Sequence, residues 1–175
     1  MLEVDGRDNE TLNEGCNEAC ATEPASCEPP RLKVLLIEDD AVASTLIERC
    51  LDHMAKYERQ LTVAGTLAAA LFAVSADDFD IILLSDGMRD TPAAALLAAL
   101  GDPLERCPTV LLTSYRSPAT EGQALSLGAA ACLAKLGLSP KLLEACIEQA
   151  LRQHAQHCTR MSLAAASHET MVLSG

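Results

Sequence analysis

The chain has 175 residues, of which 49% are hydrophobic and 22% are charged, and this size and apolar content suit one globular domain with a buried core. Its net charge of −12 repels nucleic-acid phosphates and anionic lipids, so we expect no direct binding to nucleic acid or membranes. The chain lacks Trp and has only two Tyr and two Phe residues, which excludes an aromatic platform for stacking bases or sugars.

The first segment of the chain, residues 1–30, is strongly acidic. It contains eight acidic residues, one basic residue and few large apolar residues, and it ends at Pro29-Pro30. This composition predicts a disordered acidic tail. Acids stand where a secretory signal would carry bases, and no apolar run reaches the roughly 18 residues of a membrane helix. We therefore expect a cytoplasmic protein.

Removing residues 1–30 is expected to leave the melting temperature of the protein nearly unchanged. The segment has too little apolar surface to offset the entropy lost when it becomes ordered. Calorimetry of the full and shortened chains measures this. A decrease of about 5 °C or more, equivalent to roughly 1–2 kcal/mol for a domain of this size, would instead show that the segment is docked.

From Leu32 onward, short apolar runs alternate with Ala- and Leu-rich segments of helical period. This alternation is typical of a parallel sheet with crossover helices. The predicted strands are Leu32–Ile37, Gln60–Ala64, Asp80–Ser85, Thr109–Thr113 and Ala130–Lys135. The predicted helices are about Ala41–Met54, Thr66–Ala76, Pro92–Leu100, Pro118–Leu127 and Pro140–His154. The pattern predicts a doubly wound α/β domain over residues 31–155 and a C-terminal tail over residues 156–175.

Polar residues follow the predicted strands, where ligands bind in sheets of this type. Glu38-Asp39-Asp40 follows the first strand, Ser85-Asp86 ends the third, and Thr113 and Lys135 end the fourth and fifth. Taken singly, each is an ordinary residue at a strand end, and Asp at such a position commonly caps the next helix. No glycine-rich phosphate loop follows the first strand, which argues against a nucleotide-binding fold.

In combination, these residues resemble the receiver domain of two-component response regulators over roughly Lys33 to Arg152. The resemblance implies a single flavodoxin-like (βα)5 domain with a parallel sheet in the strand order 2-1-3-4-5. The segments that carry it are Val34–Asp40, Phe79–Leu84, Pro108–Ser114 and Leu127–Lys135.

The resemblance also implies roles for individual residues. Glu38 and Asp39 would be the Mg²⁺-binding carboxylates, Thr113 the switch hydroxyl that follows the phosphoryl group, and Lys135 the positive partner of that group. Mg²⁺ prefers hard oxygen ligands in octahedral geometry. An ammonium near the carboxylates balances their charge and can meet a phosphoryl oxygen.

The sequence departs from the family at the phosphoacceptor position. Ser85 stands where the family has aspartate, and the carboxylate lies one residue later, at Asp86. Since successive strand side chains alternate faces, Asp86 is expected to point away from the acceptor direction unless a bulge re-aims it. Arg89 replaces a common proline, and Cys132 occupies the aromatic switch position. A serine hydroxyl is a poor nucleophile without a base and a poor third ligand for Mg²⁺. These changes predict a degenerate receiver with weak Mg²⁺ binding.

The function that we expect is that of a stand-alone receiver-like signalling domain in a bacterial two-component phosphorelay. It would act without enzymatic activity and independently of phosphorylation, by binding a histidine kinase or a downstream signalling protein. One alternative is a phosphotransfer-competent regulator phosphorylated on Asp86. Another is a truncated hybrid histidine kinase, since Leu163–Glu169 resembles the start of a kinase dimerisation helix with His168 at the phosphorylated position.

Overall fold

The computed structural model of the protein describes residues 29–89, 91–101 and 107–172, with side chains as far as residue 162. Five strands and five helices alternate along these ranges. The strands are β1 (Arg31–Ile37), β2 (Glu58–Ala64), β3 (Ile81–Ser85), β4 (Thr109–Thr113) and β5 (Ala131–Ala134). The helices are α1 (Ala41–Asp52), α2 (Leu67–Ala76), α3 (Ala93–Ala99), α4 (Pro118–Ser126) and α5 (Pro140–Val172).

All five strands form one parallel sheet in the order β2-β1-β3-β4-β5. The predicted fold class and strand order are confirmed. At the carboxyl edge, Ile37 pairs with Leu84, Ser85 with Leu112, and Thr113 with Ala134. The strands run in the same direction, so the residues that end them lie along one edge of the sheet.

The core lies on both faces of the sheet, because side chains alternate along each strand. In β1, Val34 and Leu36 face the layer that contains α1 and α5, whereas Leu35 and Ile37 face the layer that contains α2, α3 and α4. All four side chains are completely buried. Burial on both faces explains why the central strands read as continuous apolar runs.

Helix α1 begins directly after the acidic segment that follows β1, and Asp40 caps it. The Asp40 carboxylate accepts hydrogen bonds from the N–H groups of Val42, at 2.7 Å, and Ala43, at 3.3 Å. These bonds stabilise the ionised form and lower the pKa of Asp40 below its ordinary value. Asp40 therefore acts at the helix terminus, while Glu38 and Asp39 face other partners.

Helix α5 is longer than predicted. The prediction ended it near His154, and that bound was wrong, because the helix continues to Val172. Residues 155–172 contain several Ala residues and neither Gly nor Pro, so nothing in them interrupts a helix. Leu143, Ile147 and Ala150 pack against the core, and residues 155–162 are exposed. Over the described ranges, no helix is long and apolar enough to cross a membrane.

Candidate functional site

Four polar residues from four strand ends lie along the carboxyl edge of the sheet. Glu38 follows β1, Ser85 ends β3, Thr113 ends β4 and Lys135 follows β5. Glu38, Ser85 and Thr113 are all buried. Because burial of a polar group is costly unless it is hydrogen-bonded, the partners of these side chains determine what the site can do.

Lys135 lies at the centre of this cluster. Its Nζ donates hydrogen bonds to Glu38 Oε2 and to Ser85 Oγ, both at 2.6 Å. Only 1% of the Glu38 side chain and 15% of the Lys135 side chain are exposed, so this is a buried ion pair. Glu38 Oε1 accepts a further hydrogen bond from the Asp40 N–H at 3.1 Å. The structure therefore brings Glu38, Ser85 and Lys135 together.

Asp39 has its partner in the loop that follows β3. Its Oδ2 accepts a hydrogen bond from the Arg89 N–H at 3.0 Å and lies 3.5 Å from Arg89 Nε. Arg89 was noted in the sequence only as a departure from the family, and its contact with Asp39 was not foreseen. The sequence did contain one indication of this contact, because Arg89 is a basic residue in a loop at the same edge of the sheet as Glu38 and Asp39.

Asp86 turns towards the end of β4. Thr113 Oγ1 donates a hydrogen bond to Asp86 Oδ2, and the Ser114 N–H donates to Asp86 Oδ1 at 3.2 Å. Ser85, in contrast, accepts hydrogen bonds from Lys135 and from the Gly87 N–H. The two neighbouring side chains thus have different partners, as the alternation of strand side chains requires. The bond between Asp86 and Thr113 was missed in the sequence.

Cys132 lies in β5, two residues after the start of the last predicted strand, and it is buried. Desolvation raises the pKa of its thiol, which keeps it protonated and unreactive. Tyr115, in the loop after β4, is 79% exposed. The position expected to carry an aromatic switch thus holds a small buried thiol.

The donor set of the cluster does not fit a Mg²⁺ site of the usual kind. Glu38 Oε2 and Ser85 Oγ both bind the ammonium of Lys135, and Asp39 is bonded to Arg89. In the part of the chain that the structure describes, no group of three or more His, Cys, Asp or Glu side chains could hold a metal ion. Divalent cation affinity depends on the number of charged oxygen ligands, which is low here.

The structure tests neither of two other predicted features. His168 falls within α5, after the last residue whose side chain is described. Most of the acidic segment, residues 1–28, is outside the described residues. The expectations for the kinase-like segment and for the acidic tail stay predictions.

Comparison with protein families gives one assignment for this fold and edge. A family model described as the response regulator receiver domain matches residues 34–148. The match begins in β1 and ends within α5, so it includes every residue of the cluster. No curated protein is similar enough in sequence to count as a match.

Solved structures with the same fold include several receiver domains. The signal receiver domain of the putative response regulator NarL from Mycobacterium tuberculosis is 25% identical, with a TM-score of 0.57 over 69% of this chain and 98% of that chain. A CheY-like receiver domain protein from Methanospirillum hungatei JF-1 is 21% identical, with a TM-score of 0.61 over 72% and 98%. The Mn²⁺-bound form of response regulator Rcp1 is 20% identical, with a TM-score of 0.56 over 67% and 90%.

Proposed function

Because this chain belongs to the response regulator receiver domain family, we propose that it signals by binding partner proteins without phosphorylation at the family's acceptor position. The observation that carries this proposal is the bond between Lys135 and Ser85. The lysine that would face a phosphorylated aspartate instead donates to a serine hydroxyl at 2.6 Å. The carboxylate that a phosphoryl group would join is absent at that position.

The surroundings of Ser85 disfavour phosphorylation of its hydroxyl. Ser85 Oγ accepts hydrogen bonds from Lys135 Nζ and from the Gly87 N–H, and both withdraw electron density from the oxygen. A serine nucleophile needs an adjacent base to take its proton. Glu38 is the nearby carboxylate, and it is engaged by Lys135 and by the Asp40 N–H. The site therefore supports binding rather than group transfer.

Two alternatives stay open to test. Asp86 carries a carboxylate next to the acceptor position, which makes it the candidate for a phosphotransfer-competent regulator. Both of its oxygens already accept hydrogen bonds, from Thr113 and Ser114, and this favours the binding function. The other alternative is a hybrid kinase fragment, for which the motif around His168 is the sole support.

We propose that this domain acts in the cytoplasm and without enzymatic activity. Its proposed partner is a histidine kinase or a downstream signalling protein of a two-component phosphorelay. The surplus of acidic residues on the chain supports a protein partner over nucleic acid or anionic lipid.

The chain is expected to gain no phosphoryl group from acetyl phosphate in the presence of Mg²⁺. Intact-mass spectrometry of the wild type, Asp86→Asn and Ser85→Asp measures this. Asp86→Asn controls for transfer to the neighbouring carboxylate, and Ser85→Asp restores a carboxylate at the acceptor position. A phosphoryl group on the wild type that is lost in Asp86→Asn would replace our proposal with the phosphotransfer alternative.

Mg²⁺ is expected to bind more weakly here than in receivers with three acidic ligands. Receiver domains bind Mg²⁺ in general, but this chain offers two carboxylates, Glu38 and Asp39, and a neutral hydroxyl. Isothermal titration calorimetry measures the affinity. Micromolar binding that Asp39→Asn abolishes would contradict this expectation and bring Asp86 into the site.

A further inference from the structure

Asp86 joins the end of β3 to the loop that follows β4. From the bonds that it makes, we infer that Asp86 is a positioning residue whose carboxylate holds this loop in one conformation, as a built-in anion in place of a transferred phosphoryl group. The loop consists of residues 114–117. The inference rests on the proposed function in one respect, namely that partners recognise a receiver that is not phosphorylated.

The first support is the geometry of the carboxylate. Each of its oxygens accepts a separate hydrogen bond from the end of β4, one from the Thr113 hydroxyl and one from the Ser114 N–H. A hydroxyl and the next backbone N–H are together a pair of donors suited to an anion. Hydrogen bonds to an ionised acceptor are about twice as strong as neutral ones.

The second support is the full use of the Thr113 hydroxyl. It accepts a hydrogen bond from the Tyr115 N–H at 3.2 Å, and it has one proton for two acceptors, Asp86 Oδ2 and the Tyr115 carbonyl oxygen at 3.0 Å. The carboxylate is the stronger acceptor because it is charged. Thr113 is completely buried, whereas Asp86 is half-buried, so water has only limited access to the bond between them. Its hydroxyl is therefore already bound by an anion.

The third support is the fixed position of Asp86 itself. The Asp86 N–H donates to the Leu112 carbonyl at 3.0 Å, which continues the pairing of β3 with β4 beyond Ser85. The backbone of Asp86 is thus held by the sheet, and its side chain needs only to reach across to the adjacent strand. The sheet therefore keeps the Asp86 carboxylate beside the two donors.

The held loop leads into helix α4. Ser117 at its end caps α4 by accepting from the Thr120 N–H at 3.1 Å, and Arg116 pairs with Glu121 in the first turn at 2.9 Å. Tyr115 lies between these residues and Thr113 and is largely exposed. Fixing Thr113 and Ser114 therefore fixes how Tyr115 and the start of α4 are presented to a partner.

Hydrogen exchange of the Ser114 amide, followed by NMR in the full chain, tests the inference. In Asp86→Ala this amide loses its acceptor, and we expect its exchange to accelerate about tenfold or more. Asp86→Asn keeps only one acceptor oxygen and no charge, so we expect it to restore only part of the protection. Asp78→Ala, which removes an exposed carboxylate after α2, is the matched control and should change nothing at Ser114.

Two outcomes of this measurement would overturn the inference. One is a Ser114 amide that exchanges at the same rate in the wild type and in Asp86→Ala. The other is equal acceleration of amides throughout β1 and β3 in Asp86→Ala, because this would show a general loss of stability instead of a released loop. Neither outcome depends on whether the wild type is phosphorylated, so failure here is distinguishable from failure of the proposed function.

A competition experiment provides a second test. In Ser85→Asp, the new carboxylate attacks the phosphorus of acetyl phosphate, an acyl phosphate forms and acetate leaves. The phosphoryl oxygens then need the donors that Asp86 occupies. We expect Ser85→Asp/Asp86→Ala to accumulate several times more phosphorylated protein than Ser85→Asp alone, as measured by intact mass. Equal or smaller accumulation would show that Asp86 does not compete for Thr113 and Ser114.

Discussion

Replacing Ser85 with Asp should make the thermal stability of the protein depend on Mg²⁺. Ser85 is completely buried and bonded to Lys135, which also binds Glu38. A third carboxylate beside Glu38 and Asp39 adds a negative charge where Lys135 already binds Glu38 and Arg89 already binds Asp39. Like charges at close range destabilise the folded state, so the melting temperature should decrease without metal.

Addition of Mg²⁺ should reverse this loss in Ser85→Asp, because the ion binds the folded state only. At about 100 times the dissociation constant, the ion contributes about 2.7 kcal/mol. For a chain of this size, that gain raises the melting temperature by roughly 5–10 °C. Thermal unfolding with and without Mg²⁺ measures the effect.

Ser85→Asn is the matched control for this experiment, because it changes the size of the side chain without adding charge. Neither it nor the wild type should respond to Mg²⁺ by more than about 1 °C. Indifference of Ser85→Asp to the ion would mean that residue 85 does not face the acidic pair. Asp86 would then be assigned to the acceptor position instead of Ser85.

Replacing Lys135 with Met should destabilise the protein by about 3–5 kcal/mol. The substitution keeps most of the side-chain volume but leaves the Glu38 carboxylate buried and without its cation. Breaking one partner of a buried ion pair costs far more than the pair contributes, because the remaining charge is desolvated and unbalanced. Urea unfolding measures the free energy.

The double substitution Glu38→Gln/Lys135→Met should recover more than half of this loss. Gln keeps an acceptor for the Asp40 N–H and removes the unbalanced charge. Arg116→Met is the control at the exposed pair with Glu121, where solvent screens the charges and the urea midpoint should barely move. A cost below about 1 kcal/mol for Lys135→Met would show that water compensates Glu38.

The elements of the fold were predictable because their signals are local. Residues 34–37 and 81–84 read as uninterrupted apolar runs, and helical segments fill the intervals between such runs. A strand that is buried on both faces needs apolar residues at every position, so it can be identified from a short stretch of sequence. The predicted end of α5, near His154, was wrong, and the reason is also local. The Ala-rich sequence after His154 continues the helix beyond the last residues that contact the core.

The members of the cluster were also predictable, because parallel strands bring their carboxyl ends to one edge. Glu38 and Lys135 lie 97 positions apart in the chain, yet each directly follows a strand that the sequence identifies. The assignment of Ser85 to the acceptor position comes from the resemblance to receiver domains and stays a prediction. Once the strands are identified, the topology of a parallel sheet predicts which residues lie near one another at its carboxyl edge. This prediction requires no knowledge of side-chain conformations.

The choice of partner within the site was decided by the tertiary structure alone. Nothing in the spacing of residues shows that Arg89 binds Asp39, or that Asp86 takes both the Thr113 hydroxyl and the Ser114 N–H. Asp39 and Arg89 are 50 positions apart in the chain, and Asp86 and Thr113 are 27 apart. Their contacts form only after the strands have paired and the loops have placed these side chains. A hydrogen bond requires its atoms within about 3 Å and in line. The sequence by itself determined which groups reach the edge of the sheet, and only folding determined which of them touch, because the periodicity of a strand sets the direction of a side chain but not its distance from a neighbour.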